Sequence, residues 1–331
     1  MDNYTFASEP LEVIRRNEAK KKIRSTATFI GLAMLITVAV SLFWGTVYIN
    51  IMASFGIDSQ TAISWINEPA VMQLANQILS LLMFTLPFFI VLSGCGHKFH
   101  EIVSLSKPDK RFLLPVTLIS IAFCSFANIA GSVILALLAG FGIQVPNPMP
   151  QEPTGVFGMT VTFLGAAVVA PIVEEFAMRG IVMGSLRKFG DGVAIFVSAV
   201  LFGLMHGNLM QIPFAFIVGL ALGFAVIKTG SLWSGILIHA INNALATVLN
   251  WATKGASVEL QSTVNVIYFI VCMLCAFVGV YLLKGKSQEV TELEYPDSPL
   301  TQKQSVATFF KNPLIIIYIL LIAIQTIERL E

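Results

Sequence analysis

Polar side chains that could carry out chemistry lie inside apolar stretches of this sequence, where charged groups are rare. They are Glu174, Glu175, Arg179, His206, His239, Asn242 and Asn243. An ionised side chain at the centre of a bilayer costs at least about 2.5–3.5 kcal/mol on insertion scales, so such residues usually serve a function. All of them fall between residues 157 and 250, and this clustering favours one site over scattered, tolerated polar groups.

Helical spacing separates the two adjacent carboxylates. Glu175 and Arg179 are four residues apart, so they share a helix face and can form an ion pair. Glu174 points about 100° away from Glu175, and it has no partner on its own helix. We therefore expect Glu174 to be the carboxylate that is available as a general base. The alternative is that both glutamates form one structural ion network with Arg179.

The histidines follow the same helical spacing. His206 lies four residues after Phe202, and His239 lies four residues before Asn243. A single histidine on an apolar helix is usually a packing residue, but here two histidines and Glu174 occur on three neighbouring helices. At about 1.5 Å per residue, these side chains reach similar depths in the membrane. The sequence therefore predicts one polar cavity within the bilayer, lined by Glu174, His206, His239 and Asn243.

The composition shows what kind of protein must position these residues. The 331 residues include 20 Lys and Arg against 19 Asp and Glu, so only 12% are charged and 56% are hydrophobic. A soluble domain carries about 25% charged residues, so a soluble enzyme is excluded, as is a disordered chain. The net charge of +1 gives no argument for a nucleic-acid partner. The composition indicates an integral membrane protein whose surroundings are the lipid bilayer.

A helix needs about 20 apolar residues to cross about 30 Å of hydrocarbon. The sequence predicts an all-α, polytopic transmembrane helix bundle with eight helices and a possible ninth, and with its active site within the bilayer. The predicted helices are 27–53, 70–94, 112–141, 157–186, 192–206, 211–227, 231–250 and 262–283. The possible ninth is 314–327, which Pro313 precedes.

Lysines and arginines between these segments predict the orientation. If the eight helices alternate in direction, almost all basic residues outside them fall on one side, and Lys254 is the exception. Basic loops remain in the cytoplasm. We therefore expect a cytoplasmic N-terminus and a location in the cell (plasma) membrane.

Three motifs occur in order along residues 157–250. They are E-E-x-x-x-R at Glu174, Glu175 and Arg179, F-x-x-x-H at Phe202 and His206, and H-x-x-x-N at His239 and Asn243. Together they resemble the CPBP family, the CAAX-protease and bacteriocin-processing intramembrane endopeptidases, which is also called the ABI family.

The resemblance covers about 157–250, and together with the predicted helices it divides the chain into four parts. Residues 1–26 are a cytoplasmic tail, and 27–156 contain three transmembrane helices. Residues 157–250 are the catalytic core of four transmembrane helices. Residues 251–331 contain the eighth helix, a cytoplasmic linker and the possible C-terminal helix.

The resemblance also implies an activity and a role for each residue. The protein would be a membrane-embedded endopeptidase that hydrolyses a peptide bond of a membrane-associated peptide or protein. Glu174 and His206 would activate a water molecule, while His239 and Asn243 would stabilise the oxyanion. Glu175, Arg179 and Phe202 would support them.

The family has been described as metalloproteases, which raises the question of a cofactor. If a metal is used, its ligands would be Glu174, His206 and His239, and zinc is the candidate ion. The sequence has no H-E-x-x-H motif, which is the usual spacing for zinc in metalloproteases. We therefore favour glutamate-type hydrolysis without a metal.

Two functions from other classes compete with the endopeptidase. A non-catalytic immunity or scaffold protein would keep the fold, but it would not need the complete set of motifs. A proton-coupled transporter could use the Glu and His cluster as a proton relay, but inverted repeats are expected in such proteins and none is found. The sequence leaves the substrate open, including whether it is prenylated.

Overall fold

The computed structural model describes residues 11–146 and 154–330, and all regular secondary structure in those ranges is helical. The first helices are α1 Leu11–Ser54, α2 Ser59–Ile66, α3 Pro69–Thr85, α4 Phe88–Gly94, α5 Phe99–Ile102, α6 Lys110–Gly140 and α7 Gly155–Phe189. The remaining helices are α8 Asp191–Leu204, α9 Gln211–Thr229, α10 Leu232–Thr253, α11 Val258–Leu282, α12 Ser287–Thr291, α13 Gln302–Phe310 and α14 Pro313–Glu328.

Seven helical segments of the described chain are long and apolar enough to cross a membrane. They are α1, α3 together with α4, α6, α7, α9, α10 and α11. Each coincides with a segment predicted from the sequence. The predicted fold class, a polytopic helical membrane bundle, is confirmed.

The fifth predicted segment, 192–206, differs from the others. It forms α8, which has 14 residues and is about 21 Å long, shorter than the hydrocarbon layer. The chain turns after Leu204 because Gly207 takes a left-handed φ of 59°, and Asn208 then accepts a hydrogen bond from the Gln211 amide. The prediction of eight long helices is therefore corrected to seven, with His206 in the turn after α8.

The C-terminal segment supplies a possible eighth crossing. Helices α13 and α14 meet at an angle of 69°, and only as a pair are they long and apolar enough to span. The Asn312 side chain caps α14 through the Leu314 amide, and it donates to the Arg24 carbonyl and the Thr28 hydroxyl. These bonds fix α14 against α1. The sequence predicts the start of this helix correctly, because Pro313 is its first residue.

The predicted N-terminal tail, 1–26, is only partly described. Residues 1–10 lie outside the described chain, and the rest of the tail forms the first turns of α1. With 44 residues, α1 is about 66 Å long, roughly twice the thickness of the hydrocarbon layer. One end of this helix therefore extends beyond the membrane.

Close packing of α9 against α8 brings the backbone of α9 next to the ion pair of Glu175 and Arg179 on α7. A Cβ atom at Gly219 would lie 3.0 Å from the Ala199 Cα and 3.2 Å from Arg179 Nη2. Small residues allow membrane helices to approach this closely. Gly219 thus leaves room for the Arg179 guanidinium between α7 and α9.

Candidate active site

Helix α7 carries both glutamates, and it widens on either side of them. Its segments Gly165–Val169 and Phe176–Met183 are π-helical, and π turns occur frequently at functional sites. In the first segment the Ala170 amide bonds to the Gly165 carbonyl, five residues back. Pro171 has no N–H for the next carbonyl in that series, which is that of Ala166. The sequence thereby leaves a backbone acceptor for a side chain.

The second glutamate is held by two neighbours, Arg179 and His239. Glu175 Oε1 lies 2.8 Å from Arg179 Nη1, and both side chains are fully buried. Arg179 Nη2 donates to the Gly219 carbonyl at 3.2 Å, and its guanidinium carbon lies 4.1 Å from the centre of the Phe202 ring. His239 Nδ1 lies 3.0 Å from Glu175 Oε1. The pair expected from the spacing is present, and it also orients His239.

The first glutamate has a different environment. The Glu174 side chain is 15% exposed, and Glu174 Oε2 lies 3.9 Å from His239 Nε2. Among the residues that the structure describes, no side chain or amide donates a hydrogen bond to its carboxylate. Glu175 is thus held by its neighbours, whereas the Glu174 carboxylate is open. This difference is expected if Glu174 is a base and Glu175 supports the site.

The hydrogen bond of His206 determines which ring nitrogen is free. Its Nδ1 lies 2.8 Å from the Phe202 carbonyl oxygen, and because a carbonyl can only accept, Nδ1 carries the proton. In the neutral ring Nε2 then keeps its lone pair. Phe202, which is buried, contacts the rings of His206 and His239 edge to face, with centroid distances of 5.2 Å and 5.8 Å. Phe202 therefore positions both imidazoles as well as Arg179.

Asn243 is tied to the widened part of α7. Its Nδ2 donates to the Ala166 carbonyl at 2.9 Å, which is the acceptor left by Pro171, and its Oδ1 accepts from Asn242 Nδ2 at 3.1 Å. A carboxamide has two N–H groups. One N–H of Asn243 thus anchors the side chain, and the second has no protein acceptor among the described residues.

One cavity of about 470 Å³ brings these side chains together. Its walls include Glu174, Phe202, His206, His239 and Asn243. Glu175 and Arg179 do not line it; they lie behind His239. The structure thus places the four predicted site residues on one cavity and the three supporting ones against them.

The cavity also has polar walls that the sequence reasoning missed. Asn128 and Ser132 come from α6, Gln211 comes from the start of α9, and Asn242 adjoins Asn243. Asn242 is one of the polar residues within the apolar stretches, but none of the three motifs includes it. A lone asparagine inside the apolar run of α6 was the available signal for Asn128.

The remaining two histidines of the chain lie away from this cavity. His97 Nε2 lies 3.1 Å from Lys188 Nζ, and His100 is exposed on α5. Partial burial, and then the Lys188 charge, lower the pKa of His97. These contacts give neither histidine a part in the cavity.

The donor set does not form a ready metal site. Both histidines of the cavity use Nδ1 for a protein hydrogen bond, so only Nε2 of each could bind a metal. Over residues 11–146 and 154–330, no three His, Cys, Asp or Glu side chains are grouped so that they could hold a metal ion. Glu174, His206 and His239 thus share a cavity without the geometry of a metal ligand set.

Gly235 packs against the buried carboxylate of Glu175, so a substitution there tests how tightly the ion pair is packed. A Cβ atom there would lie 2.9 Å from Glu175 Oε2 and 2.7 Å from Val226 Cγ2. We expect Gly235→Ala to destabilise the protein by about 1–3 kcal/mol, because the overpacked carboxylate must shift. Thermal unfolding of the purified protein in detergent measures this. Gly45→Ala is the control, since no atom lies within 4 Å of a Cβ there, and equal melting temperatures for the two variants would contradict the packing argument.

The comparisons with known proteins agree with the motifs. Residues 156–245 match the sequence model of the Rce1-like family, described as type II CAAX prenyl endopeptidase Rce1-like. The matched segment contains all four predicted site residues. No solved structure matches the chain significantly.

Two curated relatives cover larger parts of the chain. The membrane-embedded CAAX protease MroQ of Staphylococcus aureus (strain USA300) is 23% identical over 172 residues, which are 50% of this chain and 69% of that protein. The putative membrane peptidase YdiL of Bacillus subtilis (strain 168) is 28% identical over 138 residues, which are 41% of this chain and 55% of that protein. The segment that carries Glu174, His206, His239 and Asn243 is therefore similar to membrane CAAX proteases.

Proposed function

We propose that this membrane protein is an endopeptidase that hydrolyses a peptide bond of a membrane-associated peptide or protein. One observation carries the proposal: Glu174 lies open on a cavity with two histidines and Asn243, while Glu175 beside it is held through Oε1 by Arg179 and His239. A carboxylate that is only 15% exposed and has no fixed counter-charge is costly in a membrane, and a role as a base accounts for its presence.

The first chemical step uses Glu174 and His206. Glu174 takes a proton from a water molecule as the water oxygen bonds to the carbonyl carbon of the substrate. The lone pair on His206 Nε2 accepts the other hydrogen bond of that water, and so it orients the attack. The carbonyl electrons move to its oxygen, which becomes an oxyanion. When the intermediate collapses, the C–N bond breaks, and the proton on Glu174 passes to the leaving amine.

The oxyanion is stabilised from α10. Asn243 donates its second N–H, because the first is fixed on the Ala166 carbonyl. His239 donates from Nε2 when both of its ring nitrogens carry a proton, and Glu175, 3.0 Å from Nδ1, balances that charge. Donors that are held in place before the reaction contribute more to catalysis than mobile ones.

No metal enters this scheme. The proposal rests on the donor set, in which each imidazole offers one nitrogen and the nearest carboxylate oxygen lies 3.9 Å from His239 Nε2. Zinc bound to Glu174, His206 and His239 is the competing arrangement, and turnover by metal-free protein distinguishes the two.

Cleavage by the purified protein tests the function itself. The probes are a fluorescence-quenched CAAX peptide with its S-prenyl group, the same peptide without that group, and a library of quenched apolar peptides. We expect at least one to be cleaved at a single bond, located by mass spectrometry, and to stay intact with Glu174→Ala. Cleavage of none would instead favour the non-catalytic scaffold or the transporter, and equal cleavage by the variant would show that the activity does not depend on Glu174.

The oxyanion role predicts the effect of removing one amide. Asn243→Ala should lower kcat by about 10²–10³-fold, the usual loss for one oxyanion donor. Steady-state cleavage of the best probe measures this, with the melting temperature recorded because Ala166 also loses its partner. Asn242→Ala is the comparison variant, since its amide lines the same cavity and donates to Asn243 Oδ1 but is assigned no bond to the oxyanion. Equal losses in the two variants would contradict a direct role for Asn243.

We also propose that the N-terminus lies in the cytoplasm of a cell whose plasma membrane holds the protein. In a variant without the four native cysteines, a cysteine at Lys21 should resist a membrane-impermeant thiol reagent in intact cells. A cysteine at Lys254, predicted to lie on the other side, should react. The reverse pattern would overturn the orientation.

A further inference from the structure

Part of the cavity wall comes from outside the family match. Helix α6 contributes Asn128, Gly131, Ser132 and Leu135 to it, and these residues precede the matched segment 156–245. A Cβ atom at Gly131 would lie 4.0 Å from the Phe214 Cβ of α9. The absence of a side chain at Gly131 brings α6 close to α9, so that α6 lines the cavity.

Asn128 has an amide with no assigned use. Its side chain is exposed and makes no hydrogen bond to any described residue, whereas the Ser132 hydroxyl donates to the Asn128 backbone carbonyl. Asn128 lies 18 residues after Lys110, about 27 Å along a helix of about 46 Å, and hence within the length that hydrocarbon covers. An amide without a partner in such surroundings is costly. Its position on the cavity points to a ligand that can bond with it.

The carboxamide of Asn128 is suited to bind a ligand that has both a hydrogen-bond donor and an acceptor. A peptide segment in hydrocarbon must have its own N–H and C=O groups satisfied, since no water is present to do so. A carboxamide both donates and accepts, so it can bond to one peptide group through both partners. The cavity walls also include the apolar residues Leu135, Phe214 and Val218.

We infer that Asn128 binds a backbone peptide group of the substrate, and that this part of the cavity takes an extended, apolar peptide segment. The inference rests on the proposed endopeptidase function. Asn128 would then be a substrate-binding residue that lies before the segment matched by the family model, 156–245. The apolar residues beside it receive substrate side chains, and the amide of Asn128 fixes the register of the backbone.

The test uses the quenched peptide that the wild-type protein cleaves fastest. Asn128→Leu should raise KM about tenfold or more, because a buried peptide group of the substrate loses its partner, and kcat should change less than about twofold. Asn76→Leu is the matched control, as it removes an exposed asparagine from α3, away from the cavity. If Asn128→Leu lowers the melting temperature, Asn128→Ala replaces it.

A second set of peptides identifies the bond directly. Each peptide N–H of the probe is replaced in turn by an ester oxygen. At one position the ester peptide should have a higher KM than the amide peptide with the wild-type protein. With Asn128→Leu, the ester and the amide peptide should have the same KM at that position. An unchanged KM for both Asn128 variants, or ester effects that are equal in both proteins at every position, would overturn the inference while leaving Glu174-dependent cleavage intact. If no probe shows Glu174-dependent cleavage, the proposed function fails and this inference fails with it.

Discussion

Glu175→Gln is expected to lower the free energy of unfolding by about 3–5 kcal/mol, because it leaves a fully buried guanidinium without its counter-charge. Arg179 would keep neutral partners only, among them the Gly219 carbonyl and the Phe202 ring, and Arg179 Nε already has no hydrogen-bond partner. Denaturant unfolding in detergent micelles measures the change, and a lower yield of folded protein should accompany it.

The matched control is Glu292→Gln, which removes an exposed carboxylate from the segment before α13 and should leave stability nearly unchanged. The double variant Glu175→Gln with Arg179→Met should recover much of the loss, since it removes the orphaned charge as well. Equal stability of Glu175→Gln and Glu292→Gln would show that the buried pair does not stabilise the fold.

Glu174→Gln should have the opposite profile, with activity lost and stability kept. A glutamine retains the shape of the side chain but cannot take a proton from water, and a general base contributes about 10²–10⁴-fold. We expect kcat to fall by that factor and KM to change little. The melting temperature should stay close to that of the wild-type protein, because the described residues donate no hydrogen bond to this carboxylate.

Glu259→Gln serves as the control for this substitution, since Glu259 lies in the first turn of α11, away from the cavity. Wild-type turnover by Glu174→Gln would end the role of this residue as a base. A large drop in melting temperature would assign it to the structural network with Arg179 instead.

Helical periodicity explains why the site could be anticipated. The contact between Glu175 and Arg179 depends only on four-residue spacing, which the π turns of α7 do not disrupt. The common cavity followed from counting residues along helices that run nearly across the membrane. Both arguments are local, and local geometry can be read from a sequence.

Features that depend on packing between helices could not be derived in this way. Nothing local shows that Pro171 leaves a carbonyl for Asn243, because the two residues are far apart in the chain. The contribution of Asn128 depends on the close approach of α6 to α9.

The end of the chain gives a similar example. Arg329 Nη1, which follows α14, donates to the Gly207 carbonyl at 2.9 Å. This bond connects the C-terminal helix to the turn that carries His206. This bond cannot be derived from the sequence, because its two residues lie far apart in the chain.

The sequence predicts α8 to continue to His206, whereas it ends at Leu204. Apolar residues continue to Met205, so hydropathy alone extends the helix to His206. The turn depends instead on Gly207 and on the Asn208 side chain, which bonds to the start of α9. Hydropathy measures which environment a segment prefers, whereas these two residues determine where the helix stops.

Turnover by metal-free protein is the most direct test of the central claim, that Glu174 activates water without a metal. Purified wild-type protein is treated with a chelator, its metal content is measured by mass spectrometry, and cleavage of the best peptide is followed with Glu174→Gln as the blank. We expect the chelator-treated wild-type protein to keep its kcat, while Glu174→Gln remains inactive. Loss of activity on chelation, restored by zinc, would contradict it and would make Glu174, His206 and His239 the metal ligands.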